Sequence, residues 1–558
     1  MAFKVGSGQS RDTDVQNLSR RFTDDGMPYM YGSYKDTTQY DRTGGDDYQS
    51  GSGDGATWRT YVPDWPTSAI GYATVADQGN PTNFGYSPLN NSTYGRGGQF
   101  VAAAGKLFIG APLTLADLYD DGGTTNLTGC VFVCHTHRLK SVTNSSQEFP
   151  LSVNAYTDSY GIYGRRSGRA NANAFELLYP QNSLESGGYS SKPYFGAGLA
   201  YASGKLFVSH PLSQRTISGV ATAGVGGVAS YGRVNTNGSN DFEDGFIDRF
   251  EHPSTAVTSG TGPSDIGQAS YFGVTLGAGC GKIAVSDYKG HVYIKGITDG
   301  DHDFPRETYA DGVYRTGVNS DVNGWKKITG PSDDAGNSHP NTRYGNTVKV
   351  GCGRILVGAP YAQVQSPSTG NLVTNAGMIY LYDLHGNLIR KMYPPNPTSN
   401  GYFGFQIAVG SGRIVAIDAG SGSVAIYDLD GNLIKLKNNS PFGYNISGFS
   451  ASLAAGFGRI FVCEPSYDNV AGGTNTGVIW GYDLDGNFLG YLYNGGGLGN
   501  GYAYADLGLG GIQITPGRMY AIATNYAQQG TVPSMIHETP IHTIMTPWDV
   551  QALEDGDK

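Results

Sequence analysis

Short apolar runs that alternate with polar residues or break at glycine recur along most of the chain, and long Ala/Leu/Glu/Lys-rich helical stretches are absent. One unit recurs seven times. In each, Gly and a basic residue precede a short apolar run: GKLFIGAP from Gly105, GKLFVSHP from Gly204, GKIAVSD from Gly281, GRILVGAP from Gly353, GRIVAID from Gly412, GRIFVCEP from Gly458 and GRMYAIA from Gly517. An aromatic-Gly pair opens most units, at Tyr94-Gly95, Phe195-Gly196, Phe272-Gly273, Tyr344-Gly345 and Phe403-Gly404, with Phe449-Ser450 in that place in the sixth. From Gly196 to Gly204, and likewise from Gly404 to Gly412, there is room for one strand and a tight turn whose Gly admits positive φ.

Three units add YDLHGNLI from Tyr382, YDLDGNLI from Tyr427 and YDLDGNFL from Tyr482, which read as outer hairpins. Each unit then holds about four strands, and four-stranded units repeated radially leave few exposed sheet edges. The pattern therefore predicts an all-β, seven-bladed β-propeller of four-stranded blades over 58–558, with units centred near 105, 204, 281, 353, 412, 458 and 517. Insertions such as 212–240, rich in Gly, Ser, Thr and Asn, are expected to be loops. The apolar runs Ile70–Val75 and Ile536–Met545 are expected to share one blade that closes the ring.

Composition agrees: of 558 residues 85 are Gly and 39 are Tyr, and only 15% are charged. Glycine supplies turns, and Tyr, Val and Ile suit half-buried strands. The net charge of −10 and the lack of a basic cluster argue against a nucleic-acid partner. No run of 18 apolar residues is present, so no membrane span is expected. The opening MAFKVGSGQSRDTD lacks the apolar core of a secretory signal. Residues 1–57 are rich in Gly, Asp, Ser, Thr and Tyr with almost no apolar periodicity, as expected of an irregular N-terminal arm ordered by a partner. Cys130, Cys134, Cys280, Cys352 and Cys463 read as small buried hydrophobes, not as a disulfide framework.

The aromatic-Gly pair followed by Gly-Ala-Pro, as in Tyr344-Gly345 and Gly358-Ala359-Pro360, resembles the FG-GAP repeat of integrin-type propellers. GRILVGAP together with YDLDGNLI is similar to the FG-GAP-like repeats of structural proteins in tailed marine bacteriophages, cyanophages especially, over roughly residues 94–530. The resemblance implies calcium in Asp-rich blade loops. Asp299-Gly300-Asp301-His302-Asp303 and Asn235-Thr236-Asn237-Gly238-Ser239 are the candidates, neither fits the family spacing, and both read as solvated turns with no bound cofactor.

Catalytic chemistry finds little support. Strand alternation separates Cys134 from His135 and His137, and nothing nearby completes a zinc tetrahedron. His537-Glu538-Thr539-Pro540-Ile541-His542 has one residue too many for a zinc-protease helix, and Pro540 would break that helix. No nucleophile elbow or phosphate loop is present, and no carboxylate pair stands out. The expectation is a non-enzymatic virion structural protein, tail-associated in preference to capsid decoration, that meets other virion proteins through residues 1–57. The alternative is a host-surface glycan-binding module. No catalytic, cofactor or metal residue is assigned. Lys106, Lys205, Lys282, Arg354, Arg413, Arg459 and Arg518 follow the turn glycines and are expected to form an equivalent basic ring on one face, paired locally with carboxylates.

Overall fold

In a computed structural model the described residues are 100–112, 130–135, 157–158, 161–162, 175–178, 194–213, 215–217, 220–222, 224–232, 246–253, 270–297, 325–338, 341–438, 452–465, 467, 477–493, 507–523, 535–541 and 543–557. The arm 1–57, the run Ile70–Val75 and Tyr94-Gly95 lie outside them. The architecture is all-β, and the described strands form six four-stranded antiparallel sheets, one three-stranded sheet and three two-stranded ribbons.

Within each large sheet the strands run in chain order. Sheet I is Phe100–Ala103, Lys106–Ala111, Cys130–His135 and Phe175–Leu178; sheet II is Leu199–Ala202, Lys205–Ser209, Gly227–Gly232 and Phe246–Glu251. Sheet III is Leu276–Gly279, Lys282–Ser286, His291–Gly296 and Lys326–Thr329; sheet IV is Thr347–Gly351, Arg354–Ala359, Met378–Tyr382 and Leu388–Met392. Sheet V is Ile407–Gly410, Arg413–Asp418, Ser423–Tyr427 and Leu433–Asn438; sheet VI is Ser452–Gly456, Arg459–Glu464, Val478–Tyr482 and Phe488–Tyr493. Sheet VII is Leu507–Thr515, Arg518–Ala523 and Met535–Pro540. The first strand of each sheet lies against the first strand of the next, and that of sheet VII lies against that of sheet I, so the series closes on itself.

Burial explains the stacking. Both faces of most inner strands are apolar, so each sheet needs a neighbour on either side. Ala284, Val292 and Ile294 of sheet III pack with Val348, Val357 and Met378 of sheet IV, and Leu356, Ile379 and Leu381 on the other face of sheet IV pack with Ile407, Ile414 and Ala425 of sheet V. The aromatic-Gly pairs tie neighbours together. Phe272 and Phe403 form isolated parallel bridges with Gly226 and Gly377, which precede the third strands of sheets II and IV. A Cβ on Gly404, at φ +90°, would come 2.7 Å from the Met378 carbonyl oxygen, so this crossing requires glycine.

Two expectations are corrected. The stretch 212–240 is not all loop: Arg215–Ile217 and Val220–Thr222 form a ribbon, and Gly227–Gly232 is the buried third strand of sheet II. Its Gly and Ser content hid the pattern in which Val228, Ala229 and Tyr231 are all buried. Cys280 and Cys352 are half-buried turn residues at φ 52° and 51°, not core hydrophobes, whereas Cys463 is buried as expected. The side chains of Cys130 and Cys134 lie outside the described residues. Three strands of sheet VII lie among the described residues. One element was not anticipated at all: an α-helix at Pro547–Glu554.

Candidate functional site

The first strands of all the large sheets surround a cavity of about 450 Å³, lined by aliphatic side chains such as Val101, Leu276, Val350, Val409 and Ile512, with Lys349 and Gln513 among them. At one end stand the turns that join first and second strands. Ala104-Gly105, Ser203-Gly204, Cys280-Gly281, Cys352-Gly353, Ser411-Gly412 and Phe457-Gly458 all have positive φ at both central residues, which matches the right-handed twist of the flanking strands. In sheet VII, Pro516 holds its own φ negative, and only Gly517 is left-handed, at 78°. A Pro-Gly pair of this kind suits a type II turn.

The C-terminal segment lies across these turns. Thr546 caps the helix with a capping box to Asp549, and Pro547 occupies its first turn. The Asp549 carboxylate is 5% exposed. It accepts hydrogen bonds from Ser411 Oγ at 2.8 and 2.9 Å, from the Phe457 N–H at 2.9 Å and from the Thr546 N–H at 2.9 Å. Beyond the helix, Asp557 accepts from the N–H groups of Ser203 and Cys280, and the Gly556 carbonyl accepts from Gly204. Thr543 Oγ1 accepts from Gly517. One short segment thus engages turns of sheets II, III, V, VI and VII. Trp548, Asp549, Gln551, Ala552, Asp555 and Asp557 line the same cavity at this end. Thr546-Pro547-Trp548-Asp549 carries the sequence signature of this helix start, an N-cap with Pro in the first turn and Asp at the third position.

The seven cations open the second strands of their sheets, and each pairs in register with the last or near-last residue of the first strand, from Ala103↔Lys106 to Thr515↔Arg518. Lys205, Arg354 and Arg413 reach to the next sheet, while Arg459 donates to the Gly458 carbonyl of its own turn. Lys205 Nζ donates to the Ile297 carbonyl at 3.0 Å. Arg354 donates from Nε to the Leu429 carbonyl and from Nη2 to Asp430 at 3.0 Å. Arg413 repeats this on the Leu484 carbonyl, with Asp485 at 3.5 Å. Lys106, Lys282 and Arg459 are buried.

A second set of cations, missed in the sequence, grips the same outer hairpins from the fourth strands. Lys326 donates to the His385 carbonyl and to Asn387 Oδ1, and Arg390 donates to Asn432 Oδ1 at 2.8 Å. Lys435 packs where a Cβ on Gly486 would fall. In sheets IV, V and VI the YDLxGN hairpin is therefore the part held by the preceding sheet. Its first Asp serves the loop itself: Asp428 accepts from the N–H groups of Asp430 and Asn432 and from Asn432 Nδ2, as Asp383 and Asp483 do in theirs. Replacing Arg354 by Ala is expected to cost only about 0–1 kcal/mol, because Asp430 is largely exposed. A double-mutant cycle with Asp430→Ala should return a coupling at the low end of that range.

A buried polar cluster lies between sheets II and III. Asp287 Oδ2 faces His291 Nδ1 at 2.9 Å, His252 Nε2 at 3.5 Å and Tyr293 Oη at 3.3 Å, while Oδ1 accepts from the N–H groups of Lys289 and His291. Burial would raise the Asp287 carboxyl, but the hydrogen bonds and charges of His252 and His291 outweigh it and hold the group well below the ordinary value of 3.8. A depressed carboxyl stabilises the fold above its unfolded-state value and ceases to do so as pH falls through the folded one. Stability should therefore fall below pH 3.8, and Asp287→Asn should flatten that acid limb in urea midpoints measured from pH 7 downward. An unchanged limb would exclude Asp287 as its source.

Among the described residues no group of three or more His, Cys, Asp or Glu side chains is placed to hold a metal ion. The calcium candidates 235–239 and 299–303 and His137 lie outside those residues. His537–Pro540 lies in the third strand of sheet VII, not in a helix. No described helix is long and apolar enough to cross a membrane.

No family model matches the chain, and no curated protein does. Among solved structures it is similar to selenomethionine-substituted virginiamycin B lyase from Staphylococcus aureus, at 9% identity and a TM-score of 0.40 over 81% of this chain and 97% of that one. At that score the likeness carries no argument about what this chain does.

Proposed function

We propose that the chain is a seven-bladed β-propeller and a structural, non-catalytic component of a tailed-phage particle, tail-associated and anchored through residues 1–57. The observation that carries the reading is the closed series of sheets braced by its own C-terminal segment. The conspicuous polar groups serve that architecture. Arg354, Arg413 and Arg390 hold neighbouring hairpins, Asp383, Asp428 and Asp483 organise their own turns, and Asp549 and Asp557 bind the segment to the inner turns. The resemblance of Tyr344-Gly345 with Gly358-Ala359-Pro360, and of the YDLDGN hairpins, to phage FG-GAP-like repeats supplies the setting.

Quantitative mass spectrometry of purified particles tests it. The chain should be present at a fixed copy ratio to the other tail proteins, and deletion of residues 1–57 should leave a folded ring that no longer joins particles. Absence from particles sinks the proposal. Binding to a host-surface glycan on an array in that case would favour a recognition module.

A further inference from the structure

Two cysteines occupy the same position in neighbouring turns. Cys280 precedes Gly281 in the turn between the first two strands of sheet III, and Cys352 precedes Gly353 in that of sheet IV. The equivalent residues in the other described turns are Ala104, Ser203, Ser411, Phe457 and Pro516. Both cysteines are half-buried thiols, and both line the end of the central cavity. The backbones that carry them are drawn close. A Cβ built on Gly277 falls 3.1 Å from the Lys349 Cα, and one on Gly279 falls 2.8 Å from the Val350 carbonyl oxygen. The two glycines thus let the first strands of sheets III and IV come together just before they turn. Beyond them, Cys280 Sγ accepts from the Gly353 N–H at 3.3 Å and also faces the Cys352 N–H. The sulfur of one cysteine therefore already lies against the two peptide N–H groups that flank the Cα of the other.

We propose that Cys280 and Cys352 are a modifiable thiol pair, which a small-molecule disulfide joins into a covalent clasp between sheets III and IV. A disulfide asks for Cα atoms about 4.4–6.8 Å apart, and here a single cysteine side chain spans the gap between the two backbones. One thiolate attacks a sulfur of the reagent and expels its first thiol. The second cysteine then attacks the mixed disulfide and expels the other. The pair gives up two protons and two electrons, which leave as the two reagent thiols. The reaction is slow, because burial pushes the Cys280 thiol above its ordinary value of 9.0 against the pull of the Gly353 N–H, and the carboxylates of Asp557 and Asp555 add to the rise. Asp557 also accepts from the Cys280 N–H, so the C-terminal segment sits over this turn. As thiols the two residues leave the seam at the cavity to packing and hydrogen bonds, and as a disulfide they fix it covalently. Nothing in this step depends on membership of a particle.

Oxidised glutathione added to the reduced full-length chain tests it. After alkylation and digestion without reductant, mass spectrometry should find the peptides that hold Cys280 and Cys352 joined, two hydrogens lighter than their sum. Amides of Leu276–Gly279 and Thr347–Gly351 should then exchange about 10-fold more slowly than in the reduced chain, while those of Ser423–Tyr427 in sheet V do not change. Cys352→Ser should lose both the joined peptide and the slowing, and should leave Cys280 carrying glutathione alone. Glutathione on both cysteines of the unmodified chain with no joined peptide overturns the proposal, and so does a failure of both thiols to react. A joined peptide that forms only between isotope-labelled and unlabelled chains would place the bond between copies and also overturn it.

Discussion

Asp549→Ala is expected to release the C-terminal segment from the inner turns. The substitution strips the capping box and leaves the buried Phe457 N–H, the part-buried Thr546 N–H and the buried Ser411 hydroxyl without their acceptor. At about 1–3 kcal/mol for each stranded buried donor, a total near 3 kcal/mol is expected. The loss is expected to stay local to the inner turns, over which Trp548 and Ile544 lie at Gly412 and Gly458, while Ile541, Met545 and Leu553 pack with sheets VI and VII. Amide exchange at Phe457, Cys280 and Gly204 should accelerate by about 100-fold, while the third strands of sheets IV and V keep their protection. Asp549→Asn keeps an acceptor and should lose much less. Equal effects for the two variants would show that charge, not hydrogen bonding, holds the segment.

Gly377→Ala is expected to damage the junction of sheets IV and V more than a typical surface change. Gly377 has φ +86°, and an added Cβ would fall inside contact distance of the Phe403 backbone, with which Gly377 forms its parallel bridge. A backbone clash cannot be relieved by turning a side chain. Left-handed strain and overpacking together are expected to cost about 3–5 kcal/mol. Gly370→Ala separates the two effects: its φ is +70°, but nothing lies within 4 Å of the new methyl. It should cost only the conformational strain, about 1–2 kcal/mol. Denaturant midpoints for both variants, with amide exchange in Met378–Tyr382, check the difference. Similar losses would show that the crossing at Phe403 is not sterically tight.

The repeat was legible because its determinants are local. The eight-residue spacing from Gly404 to Gly412 contains the first strand Ile407–Gly410, and Gly412-Arg413 marks the turn and the start of the second strand. The Asp-Leu-x-Gly-Asn runs likewise become third-to-fourth strand hairpins, each with a bulge after the turn. The insertion 212–240 misled because Gly and Ser in a fully buried strand look like loop residues when no partner sheet is in view. The cysteines misled for the opposite reason: Cys280 and Cys352 flank apolar runs in sequence yet occupy turn positions at the cavity's end.

By itself the sequence determined the all-β class, the meander within each sheet and the placing of Lys106, Lys205, Lys282, Arg354, Arg413, Arg459 and Arg518 at the starts of second strands. Two-residue alternation and glycine turns are properties of neighbours along the chain, so they survive without a fold. Only the tertiary structure decided that Arg354 meets Leu429 and Asp430, that His252 reaches Asp287 from another sheet, and that Asp549 and Asp557 grip turns at Ser411, Phe457, Ser203 and Cys280. Those partners are separated by tens to hundreds of residues. Which of them meet depends on how each sheet is rotated against the last, and that rotation is set by the buried side chains packed between sheets, a property no local pattern carries.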